Sequence, residues 1–538
     1  MKTVFQSKEA KILTVIFLVA LLLRMWGINF GLPRLYLEDE EFFVQPALRV
    51  ASGKLDPKWY GAPGHPLIYG TAAIFRVVNK ITNLQNNTEY RVDENYSRYV
   101  SEFQTAGRAL PAFLGALSVI PMYLIGSRWS KRAGLWGAGL AATSFYLIDE
   151  SHIIRPDIAQ TFFILWMMFF AVRIFENPKR WSSYILLGIS FGLGITMKYP
   201  TLFLFAPLLV FIAALLKTKS CQPRQWIAAG TTAIASAFLS GPYLFLNFQR
   251  MLHDVGLENR ANQAGHDFFN WGQNLWWYFS HVLQFQIGTF MSLMIAITLV
   301  YIIRRFLQKR DDQRFSIFFG ITLTALAYLF LISALKLHWE RWIIPVLTLG
   351  FVFAGIGIDL LLQIQKRRLL TSLVLLALFL APGIRLIRTM YGFSVPGTIE
   401  VARDWILKNI PQKTILIREP YTPQIPEDLY TVVMVPNLSW YDPGYYRAQN
   451  AEYFVISESI HGRIEKEAAR LGDETDFGKA MRRYVKLFRE STLVQDIPVN
   501  KKYSTDQSLM SNDLSILRTA DIALRKGPEI QIYRLNPK

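Results

Sequence analysis

The sequence predicts a mainly α-helical, polytopic membrane bundle of about eleven spans, followed by a small extracytoplasmic α/β domain over residues 391–538. Three observations carry that prediction. The 538 residues are 52% hydrophobic and 14% aromatic, and the apolar residues are gathered into separate runs of near-bilayer length. The formal charge of +18 is concentrated in the loops between those runs, whereas residues 390–538 are close to neutral. The composition changes after Arg388, where long apolar runs give way to short alternating and amphipathic stretches.

Hydropathy places spans near 11–27, 109–127, 133–148, 157–175, 182–197, 200–216, 226–246, 276–303, 315–335, 342–363 and 369–388. The first run ends in Arg24-Met25-Trp26 without a small-x-small cleavage site, so it reads as a retained helix rather than a removed signal peptide. Basic clusters then fall on one side. Lys2, Lys8 and Lys11 precede the first span, and Arg128, Lys131 and Arg132 follow the second. Arg173, Lys179 and Arg180 follow the fourth, and Lys217, Lys219 and Arg224 the sixth. Arg304, Arg305, Lys309, Arg310 and Arg314 follow the eighth, and Lys366, Arg367 and Arg368 the tenth. Cytoplasmic loops carry such an excess, so the N-terminus is expected in the cytoplasm and the C-terminal domain outside. The same rule explains the positive charge without nucleic acid.

On the opposite side lie residues 28–108, the turn Asp149–Asp157, the break Met197-Lys198-Tyr199-Pro200, residues 247–275 and the stretch Lys336–Trp342. Within the first of these, 40–53 and 66–81 have the apolar spacing of interfacial amphipathic helices, and 82–98 reads as a polar loop. In the soluble domain, Ile399–Asn409 is expected as a helix capped by Thr398, and Gly478–Phe488 as a second. Thr414–Arg418, Leu429–Val435, Tyr453–Ser457 and Ile530–Leu535 are expected as strands.

Several function classes are excluded or unsupported. One cysteine, Cys221, rules out an internal disulfide and a cysteine-based metal site. There is no glycine-rich phosphate loop and no His-x-x-x-His zinc spacing. What remains is a set of ionisable residues on the external side: Asp39, Glu40, His65, Arg155, Asp157, Lys198, His266, Lys336, His338 and Arg341. Ionisable groups at membrane depth are costly unless paired or functional. Carboxylates that take a proton from an acceptor, with cations that neutralise a leaving phosphate, suit group transfer. Each residue also has a structural reading. The acidic run Glu38-Asp39-Glu40-Glu41 can be a solvated helix N-terminus favoured by the dipole. His65 before Pro66 can shape a turn, Arg155 can anchor a helix end, and Asp157 can cap the fourth span. His338 and Arg341, beside Trp339 and Trp342, can belong to an aromatic belt, as can Trp271, Trp276 and Trp277. Lys198 interrupts an apolar stretch and is the hardest to explain structurally.

Taken in order, Asp39-Glu40 after the first span, Gly53, His65-Pro66-Leu67, Arg155-Pro156-Asp157, Gly194–Pro200 and His338-Trp339-Glu340-Arg341-Trp342 resemble a known family. Ala402-Arg403-Asp404-Trp405-Ile406 and Asn409-Ile410-Pro411 extend the likeness into the soluble domain. The pattern is similar to the protein O-mannosyltransferase and aminoarabinose transferase branch of the C-type glycosyltransferase superfamily. It departs in three places. Four consecutive carboxylates leave Glu38-Asp39 as an alternative register, Gly64-His65-Pro66 stands where Pro-Pro is usual, and Arg341-Trp342 stands for Arg-Tyr.

The resemblance implies an inverting transfer of one sugar from a polyprenyl-phosphate donor to an envelope acceptor (protein, lipid or glycan) outside a bacterial plasma membrane. In it, Asp39 is the base with Glu40 supporting. Arg155, Lys198, Arg341, His338 and His65 are donor-phosphate contacts, and Asp157 and His266 are substrate-positioning residues. Membrane lipids and no nucleic acid are the other expected partners. No cofactor is assigned. The family has metal-dependent and metal-independent branches, and no clean ligand set marks this chain. The rival class is a transporter or flippase of a lipid-linked or anionic substrate, which calls for mid-membrane polar residues and repeated halves.

Overall fold

The structure, a computed structural model, describes residues 7–33, 38–208, 222–258, 269–308, 312–364, 368–499 and 525–537. Cys221 and His266 lie outside the described residues. Two compact units form among the described residues: one within 7–28 and 42–386, the other from 29–41 together with 387–499 and 525–537.

The first unit is helical. Ser7 caps the helix Lys8–Met25, its hydroxyl accepting from the Ala10 amide at 3.1 Å. Among the described residues of the whole chain, six helical stretches are long and apolar enough to cross a membrane: Val100–Gly126, Pro156–Glu176, Thr289–Gln308, Gln313–Ser333, Glu340–Ile364 and Arg368–Asn409. Trp181–Met197 is apolar but shorter, and Lys8–Met25 carries Lys8, Glu9, Lys11 and Arg24 near its ends.

Close backbone approach holds the bundle together where membrane helices gain little from hydrophobic burial. Helix Trp181–Met197 packs on helix Pro223–Ser240 through Gly188 and Gly192. A β-carbon at either position would stand 2.2 Å from the carbonyl oxygen of Ala229 or Ala233, so only glycine fits. Ser130 begins the helix Lys131–Thr143 and donates to the buried Asp359 at 2.6 Å, which gives an acid inside helix Ile344–Ile364 a partner.

The structure corrects several sequence expectations. Residues 82–98 are not a loop: helix His65–Asn86 runs through the first part and Val92–Arg98 forms a second helix. The asparagines serve internal hydrogen bonds there, with Asn95 Nδ2 donating to Asn79 Oδ1 at 2.9 Å and to Thr82 Oγ1 at 2.6 Å. Residues 276–303 are not one continuous span. The helix Trp271–Trp277 passes through π-helical turns at Tyr278–Leu283 into Gln284–Ile287, and Gly288, with φ +92°, separates these from Thr289–Gln308. The stretch 226–246 breaks at Gly241, ahead of Pro242. The stretch after Met197 opens as a 3-10 turn, Tyr199–Leu204, because Pro200 lacks an amide donor.

The second unit carries a five-stranded sheet of β1 (Ile415–Arg418), β2 (Thr431–Met434), β3 (Tyr453–Ser457), β4 (Ser491–Ile497) and β5 (Ile530–Leu535), in the order β2-β1-β3-β5-β4. β1 lies parallel to β2 and β3, while β5 runs antiparallel to β3 and β4. Central β3 is buried along its whole length. Helix Thr398–Asn409 is capped by Gly397, not Thr398. The Glu400 carboxylate accepts from the Gly397 amide at 2.7 Å, a reach-back that fixes the start one residue earlier. Helices Glu458–Leu471 and Asp476–Arg489 cover the sheet. Phe30 packs against the Ile399–Ile406 face and meets Phe393 edge-on at 4.9 Å.

Candidate active site

The candidate site of the helical unit is built where three chain breaks converge. Arg155 is extended and Pro156 starts the helix Pro156–Glu176, so Asp157 sits in the first turn, where the helix dipole favours an anion. Lys198, also extended, ends the helix Trp181–Met197. Arg341 lies in the short 3-10 turn Glu340–Ile343 that leads into Ile344–Ile364.

These breaks place charge against charge. The Lys198 ammonium donates to Asp157 Oδ1, and Arg341 Nε stands 4.0 Å from Asp157 Oδ2. Asp157 is 3% exposed and Lys198 8%. Burial lowers the Lys198 pKa to about 8, opposed by the charge of Asp157. Both cations also lie over indole rings. Lys198 Nζ is 5.4 Å from the Trp342 ring centre, and the Arg341 guanidinium is 4.4 Å from that of Trp339. One side of the cluster holds a second ion pair, Arg155 Nη2 to Glu150 Oε2 at 2.5 Å. Burial raises the pKa of Glu150, with Arg155 opposing the rise. One turn below Asp157, Gln160 donates to Thr201 Oγ1 at 3.0 Å and lies 3.4 Å from the Tyr328 hydroxyl, so the cluster rests on a buried polar layer.

The first long loop is pinned to the same place. Gly64 has φ +57°, and its amide donates to the Met197 carbonyl at 3.0 Å, the residue before Lys198. A β-carbon on Gly64 would stand 2.7 Å from Phe43 Cε1 and 3.6 Å from Pro156 Cβ. Helix Glu38–Ala51 therefore meets the Asp157 helix across a glycine. His65 next to it is fully buried. Its Nε2 lies 2.9 Å from the Trp59 carbonyl, and its ring packs beside Tyr60 and Tyr69. Burial lowers its pKa, which favours a neutral imidazole that shapes the turn. His338 is 4% exposed and stacks on Phe269 at 5.1 Å, with Trp277 at 4.2 Å. Lys336 is exposed. Trp271 and Trp276 are more than half exposed, as expected of belt residues, whereas Trp277 packs inward on His338.

Of the sequence-predicted residues, the structure thus brings together Asp157, Lys198 and Arg341, with Arg155 alongside. Asp39 and Glu40 open the helix Glu38–Ala51 and fall in the second unit. Glu40 is fully buried and Asp39 partly exposed. Two residues were missed. Glu150 is the partner of Arg155, and its only sequence signal is a carboxylate five positions ahead of that arginine. Arg24 reads as a span end but is 1% exposed, donating to the carbonyls of Ala20, Ala141 and Ala142 and to Ser151 Oγ, which locks the turn that carries Glu150. Among the described residues, no three His, Cys, Asp or Glu side chains gather to hold a metal.

The family model described as dolichyl-phosphate-mannose-protein mannosyltransferase matches residues 14–253. The oligosaccharyltransferase AglB of Archaeoglobus fulgidus has the same fold, with a TM-score of 0.52 at 11% identity over 99% of this chain and 89% of its own. The chain thus has the fold of an oligosaccharyltransferase. It is also similar to ArnT of Cupriavidus metallidurans, at 14% identity and a TM-score of 0.46 over 74% of this chain and 72% of that one. Its likeness to the Pmt1-Pmt2 complex of S. cerevisiae is 17% identity and a TM-score of 0.33 over 46% and 34% of the two chains. No curated protein matches this sequence.

Proposed function

We propose that this protein is a membrane glycosyltransferase that moves a sugar from a polyprenyl-phosphate donor to an extracytoplasmic envelope acceptor, with inversion. The observation that carries this reading is the Asp157–Lys198–Arg341 cluster at three helix breaks, with the Asp157–Lys198 pair buried and Arg341 half-buried. It concentrates cationic charge in a low-dielectric place, where an anionic leaving group gains most from it. Arg341, with Nε 4.0 Å from Asp157 Oδ2, is a cation for the phosphate, while Asp157 keeps Lys198 oriented. Arg155, held by Glu150, is the third cation, and His338 flanks them in its aromatic stack. Asp39, more accessible than fully buried Glu40, is the base that takes the acceptor proton as the acceptor attacks the anomeric carbon. Glu40 holds the start of the same helix. The archaeal oligosaccharyltransferase with the same fold was captured with a dolichol-phosphate and an inhibitory peptide, which supports a lipid-phosphate donor.

The topology that goes with this reading has about eleven crossings of a bacterial plasma membrane, with the N-terminus cytoplasmic and the sheet domain outside. The test is transfer from a panel of radiolabelled polyprenyl-phosphate sugars by the purified protein in nanodiscs, beside Asp39→Asn. Loss of transfer in the variant with donor binding kept supports the reading. Movement of lipid across the bilayer without transfer from any donor hands the protein to the flippase class.

A further inference from the structure

Tyr146 lies on the short helix Phe145–Ser151, four positions before Glu150, and so on the same helix face. It is 5% exposed. Its phenolic oxygen is buried and has no hydrogen-bond partner among the described residues. Glu150 on that face pairs with Arg155 of the ion cluster, so the Tyr146 ring shares a helix face with the cluster's edge. Buried hydroxyls are nearly always paired, and tyrosine is used in cores where its oxygen can reach a partner. Here the nearby carboxylates are engaged: Glu150 accepts from Arg155, and Asp157 is held between Lys198 and Arg341.

We propose that the Tyr146 hydroxyl is a further binding group of this site, donating its hydrogen bond to a phosphate oxygen of the lipid-linked donor. The proposal rests on the donor reading above and adds a neutral donor to its three cations. Lys198, Arg341 and Arg155 make the site selective for an anion, and the phenol supplies a directed bond that fixes how the phosphate is turned. The argument also separates function from structure. A hydroxyl bonded to no protein group can be removed without loss to the fold, and replacing it with hydrogen relieves a desolvation cost.

The experiment measures binding of a polyprenyl monophosphate to the full chain in nanodiscs of neutral lipid, for wild type, Tyr146→Phe and Lys198→Met, with thermal unfolding of each. Tyr146→Phe is expected to unfold at the wild-type temperature or above it, and to bind roughly 10- to 100-fold more weakly, the worth of a hydrogen bond to a charged group. Wild-type affinity in Tyr146→Phe, with binding lost in Lys198→Met, overturns the role of the phenol while leaving the donor reading in place. A markedly lower unfolding temperature for Tyr146→Phe also overturns it, because the hydroxyl then serves the fold. No binding by the wild type removes the donor reading and the proposal together.

Discussion

Lys198 and Asp157, 41 positions apart, form a buried ion pair between the end of one helix and the first turn of another. The pair explains why two charged residues stand at these breaks. Neither is stable alone at this depth, and each depends on the chain ending or starting a helix where the other does. Arg341 completes the arrangement from a third break, with its Nε 4.0 Å from Asp157 Oδ2.

Removing one member of the pair should cost more than removing both. Lys198→Met leaves Asp157 buried without the cation that donates to it, and should destabilise the protein by about 3–5 kcal/mol. Lys198→Met combined with Asp157→Asn should recover most of that loss in thermal unfolding, yet remain inactive in sugar transfer. Recovery of activity in the double variant would show that the pair serves the fold alone.

Gly64 should be irreplaceable for two independent reasons. Its φ of +57° costs an L-residue about 1–2 kcal/mol, and its missing side chain makes room for Phe43 Cε1 at 2.7 Å. Gly64→Ala is therefore expected to lower the unfolding temperature and to reduce transfer, because the shift is felt at Met197 and so at Lys198. Gly64→Ala with Phe43→Leu should recover only the steric part. Full recovery would mean that the backbone conformation is unstrained.

Much of this was legible in the sequence. The ends of helix Pro156–Glu176 follow from Pro156 and the charged residues around it, and the three chain breaks were visible as charges interrupting apolar runs. The fully buried β3 is predicted with its observed bounds. What the sequence hid was pairing. Arg24 and Glu150 become informative only once the fold brings Arg24 to Ser151 and Glu150 to Arg155. The asparagine-rich 82–98 stretch misled because its amides bond within the unit rather than to water. β4 escaped notice because Gln495 and Asp496 dilute a strand whose hydrogen bonding to β5, with a bulge near Leu493, is what defines it.

Glu419 should make the sheet domain pH-sensitive. Its carboxyl is fully buried, accepting from the Leu438 amide at 2.8 Å, the Ser457 amide at 3.1 Å and the Tyr484 hydroxyl. Burial raises its pKa from 4.5 to about 7, against those three hydrogen bonds. The folded state therefore keeps the proton in a range where the unfolded chain has lost it. Below about pH 4.5 both states are protonated and this contribution is fully present; it is lost as pH rises to about 7, by about 3 kcal/mol. Hydrogen exchange of β1 and β3 in the full chain should show protection falling across that window. Glu419→Gln should flatten the slope, and an unchanged slope would assign it to another group.

Asp39 and Glu40 should separate by the kind of damage that their loss causes. Both open the helix Glu38–Ala51, but Glu40 is fully buried and Asp39 partly exposed. A buried carboxylate holds its partners in place, so Glu40→Ala should lower the unfolding temperature and reduce transfer in proportion to the folded protein lost. An accessible carboxylate acting as a base contributes only when a proton moves. Asp39→Asn should thus unfold like the wild type and bind a polyprenyl monophosphate equally well, while kcat falls about 100- to 10,000-fold. Steady-state transfer measured beside thermal unfolding distinguishes the two. If Asp39→Asn keeps its kcat and Glu38→Gln loses it, the base lies one residue earlier in the acidic run, and Asp39 is part of the helix start.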